Sequence, residues 1–132
     1  MNPFYKVVAE RAQHRCEYCH APEIVFNFPF EVEHIIPKSK SGSDELANLA
    51  LSCRSCNLRK GDRITGKLSD GKAHPLFHPR QNIWAEHFQV SANSGEILGV
   101  TDIGQVTVSS LCMNAPSQLK ARQLWLRLGL FP

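Results

Sequence analysis

Apolar residues at Phe4, Val7, Val8 and Ala12 recur at helical spacing, which predicts a helix over residues 3–14 with Asn2 as its cap and Pro3 at the first helical position. The period then changes. IVFNFPFEVEHII, residues 24–36, is rich in β-branched and aromatic residues and reads as extended structure, interrupted by Pro29 and ending near His34. PKSKSGSDE follows as a polar loop with Gly42 as its turn residue, then NLALS as a second short strand, and SCNLRKGDR as a short helix that Gly61 helps to end. The run GKLSDGKAHPLFHPRQ reads as a connector. Beyond it, HFQVSANSGEILGVT predicts a β-hairpin turning at Asn93, Ser94 and Gly95. Thr101 is placed to cap a helix holding Ile103, Val106, Val108, Leu111 and Cys112. A last helix is expected from Pro116 to Leu128, stopped by Gly129, with Leu119, Leu124, Trp125 and Leu128 as its core positions.

These elements mix short strands with helices over 132 residues, which predicts an α+β fold in one structural domain. A composition of 42% hydrophobic and 20% charged residues is that of a folded globular chain, and no internal repeat interrupts it. No segment approaches the roughly 20 apolar residues of a membrane span, and the first residues lack the apolar run of a leader. A cytoplasmic protein with no membrane partner is therefore expected.

That compartment decides how the cysteines are read. CEYC supplies Cys16 and Cys19, and CRSC supplies Cys53 and Cys56. A reducing cytosol disfavours lasting disulfides, and no thioredoxin-like pattern surrounds either pair, so metal is preferred over disulfide or redox chemistry. Two residues between cysteines let both thiolates of a tight turn face one ion, and two such turns complete a tetrahedral zinc site. Four protein ligands leave no open position. The zinc is thus expected to be structural, contributing on the order of 10 kcal/mol to the fold. The 33 residues between Cys19 and Cys53 exceed what two knuckles need, so an excursion with its own purpose is inserted there. Cys112 is read as a small buried hydrophobe without a role.

The excursion is also where positive charge gathers. The net charge is only +3, yet residues 34–67 carry +4 and the remainder −1. A positive stretch around His34 suits a phosphate backbone, although a solvated basic face is a common alternative.

Within it, EHIIPKSKSG, ELANL and CRSCNLRKGDR resemble the HNH endonuclease family: an acid then a histidine at a strand end, an asparagine fourteen residues on, another nine further, and flanking zinc knuckles. The resemblance implies a ββα-metal core over residues 16–63 and metal-dependent hydrolysis of phosphodiester bonds. In that family the position of His34 is the general base, and a neutral imidazole with a pKa near 6.5 suits that task. By the same resemblance Glu33 and Asn57 would hold a catalytic Mg²⁺ or Mn²⁺, and Asn48 would tie down the loop and orient His34. Glu33 stands where Asp is more usual in the family, and Asn57 where His often stands. Lys60 would contact the phosphate, with Lys38, Lys40, Arg54, Arg59 and Arg63 giving affinity without base specificity.

The expected organisation is a zinc-stabilised nuclease core over residues 1–68 and a hairpin and helical extension over 69–132 packed on it. His14, His74 and His87 have no comparable context, and His78 is the one to check as an extra ligand. DNA is the expected partner, with RNA left open. One centre cuts one strand per encounter, so nicking should precede linearisation unless the protein dimerises. The alternative readings are a non-catalytic zinc-dependent nucleic-acid-binding module and a zinc-stabilised protein-interaction module.

Overall fold

The structure, a computed structural model, describes residues 2–132. The first helix, α1, is Tyr5–Arg11, shorter than its periodicity predicts. Asn2 acts two residues before the cap position, Phe4: its Oδ1 accepts from Phe4 N at 2.8 Å, and its carbonyl accepts from Tyr5 N. The inward face is Tyr5, Val8, Ala9 and Ala12, while Phe4 and Val7 are exposed. The i, i+3, i+4, i+7 stripe is real but rotated by one residue, about 100°, from the expected set.

Only the end of the long apolar run becomes a strand. Glu23–Val25 forms a 3₁₀ turn, Ile24 and Phe28 lie exposed, and β1 is confined to Glu31–His34. The cause is Glu23. Its carboxylate accepts from Tyr5 Oη at 2.8 Å and Phe30 N at 2.7 Å, and bonds His14 Nδ1 at 2.7 Å. These bonds fold residues 23–30 back on α1, and Pro29, lacking an N–H, could not have joined a ladder anyway. Burial works against ionising Glu23, yet the His14, Phe30 and Tyr5 bonds outweigh it and hold its carboxyl below the usual range. Tyr5 is pushed up to about 12 by burial and by its bond to Glu23.

β1 pairs antiparallel with β2, Leu49–Ser52, in the register Glu31↔Ser52, Val32↔Leu51, Glu33↔Ala50, His34↔Leu49. All four residues of β2 are buried, as an LALS run without polar alternation predicts. Helix α2, Arg54–Lys60, follows at once. Cys53 is its N-cap, the thiol accepting from Cys56 N at 3.4 Å, and Gly61 ends it at φ +56°. β1, β2 and α2 make the ββα unit.

The supposed connector contains a second hairpin, β3 Thr65–Lys67 with β4 Ala73–Pro75. Its turn was present in the sequence as Ser-Asp-Gly: Asp70 Oδ1 accepts from Lys72 N, and Gly71 takes φ +80°. Then come α3, Trp84–His87, and the expected hairpin of β5 Phe88–Val90 and β6 Ile97–Gly99. Thr101 caps α4, Asp102–Ser110, its Oγ1 accepting from Gly104 N at 3.0 Å. The last helix, α5, is Pro116–Arg127, with Gly129 at φ +71° beyond it.

One apolar cluster joins Val8, Ala9, Leu49 and Leu51 to Phe77, Phe88, Ile97, Leu111, Trp125 and Phe131. Three expected core positions are corrected here. Leu124 and Leu128 are exposed, because α5 turns Arg122 inward beside the expected Trp125. Arg122 donates to the carbonyls of Gly95 and Met113 and to Asn114 Oδ1, so two carbonyls and one side-chain amide hold its guanidinium, while its buried Nε has no partner among the described residues. Cys112 is half-buried and sits at φ +49°, in the turn that closes α4. Among the described residues no helix is long and apolar enough to cross a membrane.

Candidate metal cluster and catalytic centre

Cys16, Cys19, Cys53 and Cys56 are all buried, and their four sulfurs lie within 4.8 Å of one another. The donor chemistry is that of a tetrathiolate zinc site. Electrostatics point the same way. Burial opposes ionisation of Cys16, but hydrogen bonds from the other three thiols hold its pKa well below the ordinary value. Its bonds to Cys16 push Cys19 well up, and those to Cys16 and Cys19 do the same to Cys56. The cluster can carry four thiolates only around a cation. Neither His20 nor His78 belongs to this group. His20 stacks on Trp84 with ring centroids 3.9 Å apart, and burial lowers its pKa to about 4.

The two residues inside the first knuckle reach outward. Glu17 exchanges bonds with Leu51, its N–H donating to Leu51 O at 2.9 Å and its carboxylate accepting from Leu51 N at 2.8 Å, and it also pairs with Arg80. Tyr18 donates its hydroxyl to Glu33, and its carbonyl accepts from Trp84 Nε1 at 2.8 Å. The knuckle therefore fixes β2 through Glu17 and β1 through Tyr18. Neither role is visible in the CxxC spacing.

His34 closes β1 and is partly exposed, its Nε2 2.7 Å from Asp44 Oδ1. Lys38 Nζ stands 3.2 Å from the same oxygen. Bonds from His34 and then Lys38 hold the Asp44 carboxyl below its usual range. The loop carrying Asp44 is fastened by buried Asn48: Oδ1 accepts from Ile36 N at 2.8 Å, and Nδ2 donates to Ile36 O at 2.9 Å and Ser43 O at 2.8 Å. Gly42 is required by the same closure. A Cβ there would stand 1.7 Å from Ile36 O, while the left-handed turn residue is its neighbour Ser41 at φ +67°.

Glu33 lies elsewhere. Strand alternation turns it from His34 toward α2, where it is 6% exposed, bonded by Tyr18 Oη and 3.3 Å from Lys60 Nζ. Burial pushes its carboxyl up, with Lys60 and Tyr18 pulling it back. Lys60, expected at a phosphate, is 1% exposed in this arrangement, donating to Ile35 O at 2.8 Å as well as pairing with Glu33. Asn57 donates Nδ2 to Glu31 rather than meeting Glu33. Glu33 and Asn57 as arranged do not form a shared cation site, since both Glu33 oxygens are taken by internal donors.

The basic residues divide by use. Arg59 is exposed on α2. Lys38 pairs with Asp44, Lys40 with Asp62 at 3.8 Å, and Arg54 with Glu31 at 3.9 Å, all at the surface. Arg63 is exposed but engaged, donating to Arg59 O at 2.6 Å and Ser110 O at 2.9 Å and so tying α2 to α4 at the surface.

Residues 16–63 match the family model described as HNH endonuclease. Over that segment the chain is similar to an HNH domain. That match begins at the first zinc-type cysteine and ends just after α2, so it covers the knuckles, the ββα unit and the Asn48 loop together. Nothing among curated proteins or solved structures matches the chain. A nuclease-type function on nucleic acid is what an HNH domain supports. Sequence reasoning missed Asp44, Tyr18 and Glu31, whose partners lie 10, 15 and 26 residues away with no periodicity to mark them.

Proposed function

We propose that this protein is an endonuclease that hydrolyses phosphodiester bonds of DNA, with His34 as the general base and a structural zinc on the four cysteines. The observation that carries the reading is the presentation of His34 within the HNH segment: a partly exposed imidazole at a strand end, on a loop held from behind by Asn48. In this reading His34 takes a proton from the attacking water while the rigid loop keeps the ring in place, and such a base contributes about 10²–10⁴ in rate. Arg59, Lys38, Lys40 and Arg54 supply exposed positive charge for the backbone phosphates. Dependence on Mg²⁺ or Mn²⁺ belongs to the proposal, with Glu33 and Asn57 as the ligands to test. Those ligands would need Lys60 to release Glu33, so no step of the chemistry is assigned to a cation.

The separation of Glu33 from Asn57 favours one competing reading, a zinc-dependent module that binds nucleic acid without cutting it. Supercoiled plasmid incubated with zinc-loaded protein, with Mg²⁺, with Mn²⁺ or without added metal, separates the two. The nuclease reading expects metal-dependent nicking ahead of linearisation, lost in a folded His34→Ala variant. Binding without nicking establishes the other, and equal nicking by both proteins removes His34 as the base.

A further inference from the structure

Asp44 is used by nothing described so far, yet it is the side chain that touches the proposed base. It lies ten residues from His34, on a loop whose path is fixed by four separate contacts. Asn48 clamps Ile36 and Ser43, Gly42 packs against Ile36 O, and Lys38 holds the Asp44 carboxylate. The bond from Asn48 to Ser43 O sits one residue before Asp44, so the loop clamp delivers this carboxylate directly to Nε2.

An ionised carboxylate only accepts hydrogen bonds, so the imidazole nitrogen facing it must carry the hydrogen. With Nε2 protonated, a neutral imidazole has its lone pair on Nδ1, and Nδ1 has no bond among the described residues. We infer that Asp44 is a positioning residue which fixes His34 as the Nε2–H tautomer and leaves Nδ1 as the atom that accepts the proton from water. The inference rests on the endonuclease reading for its catalytic consequence, but not for the tautomer itself. It assigns a purpose to the loop between the strands: the loop exists to bring one carboxylate to one ring nitrogen. The proton accepted at Nδ1 makes an imidazolium whose Nε2–H faces Asp44, so the positive charge forms beside a negative one.

The test is ¹⁵N NMR of the His34 ring in the zinc-loaded full chain, above the pH at which imidazole is protonated, for the wild type, Asp44→Ala and Asp44→Glu. Zinc content and far-UV circular dichroism verify that each variant is folded. The wild type should show a protonated Nε2 and an unprotonated Nδ1. Asp44→Ala should show a mixture of tautomers, with plasmid nicking kcat falling about 10²-fold while KM changes little, and Asp44→Glu should recover part of both. An unchanged tautomer in Asp44→Ala overturns the inference, as does a changed tautomer with an unchanged kcat. A wild type that never nicks sinks the endonuclease reading alone, because the tautomer measurement still decides whether Asp44 sets the ring.

Discussion

The cysteine cluster and the histidine centre occupy the same 48-residue segment and are built by opposite means. Four thiols converge within 4.8 Å, each brought there by a tight turn two residues long. The polar residues of the second centre diverge: Glu33 goes to Lys60 and Tyr18, Asn57 to Glu31, and His34 to Asp44. The difference lies in the backbone. A turn folds neighbouring side chains toward one point, whereas a strand sends adjacent side chains to opposite faces, so Glu33 and His34 cannot share a focus while β1 stays regular. A structural site needs only burial and donors. A reactive one also needs accessible groups, and here the imidazole and its Asp44 partner are open while Glu33 is buried.

The comparison predicts that stability is concentrated on the thiol side, and the largest effect should come from breaking it. Stripping metal with a chelator, or replacing Cys56 by Ser, should remove apparent binding free energy on the order of 10 kcal/mol and unfold the chain. Circular dichroism together with released zinc measures this. Because Glu17 and Tyr18 pin both strands to the first knuckle, the strands should melt in the same transition. Survival of β1 and β2 after metal loss would show that the ββα unit stands without its clamp.

The next effect belongs to the pair that separates the two sites. Lys60 and Glu33 are both nearly inaccessible, so Lys60→Met strands a buried carboxylate and should cost about 3–5 kcal/mol, read by denaturant unfolding. The double variant Lys60→Met with Glu33→Gln should recover most of that loss, since no charge then remains to be matched. A Lys60 that contacts phosphate instead would weaken DNA binding and leave stability nearly unchanged. The result therefore says directly whether this lysine serves the fold or the substrate.

Asn48→Ala should come third, at about 1–3 kcal/mol, because it leaves the N–H and C=O of Ile36 and the Ser43 carbonyl without their partner. Its signature is a combination: a modest loss of stability with a larger loss of nicking, since the same three bonds carry Asp44 to His34. Equal losses in Asn48→Ala and in a variant far from the loop would mean that the clamp has no special link to the base.

What could be read from sequence follows the same division. The CxxC turns, the two strands flanking the polar loop, Gly61 at the end of α2 and Thr101 at the start of α4 were legible, because each depends on residues a few positions apart. The strand predicted over residues 24–36 shrank to four residues because one carboxylate, Glu23, gathers donors from three places along the chain. The inward face of α5 was misjudged because Arg122, a residue that apolar periodicity excludes, is buried against carbonyls. The placement of His34 at the end of a strand and of Asn48 before the next was legible as a pattern. Lys60 was not, because its burial depends on the turn of β1 and on Ile35 O, and no spacing in CNLRKGD reveals either.

The smallest predicted effect is the pH dependence carried by Glu23, which holds the other end of β1. Its carboxyl is held below the value near 4.5 that it would have in the unfolded chain, mainly through His14, Phe30 N and Tyr5 against the opposing effect of burial. A depressed carboxyl binds fewer protons when folded, so its contribution is complete above about pH 4.5 and is lost as pH falls through the lower folded value. Glu23→Gln should therefore melt below the wild type at neutral pH, and the gap should narrow as the pH is lowered past 4.5. Taking the difference between two proteins cancels acid loss of the thiol-bound metal, which acts on both alike. A gap that stays constant from pH 7 to 3 would mean that Glu23 acts on residues 23–30 through shape and neutral hydrogen bonds alone.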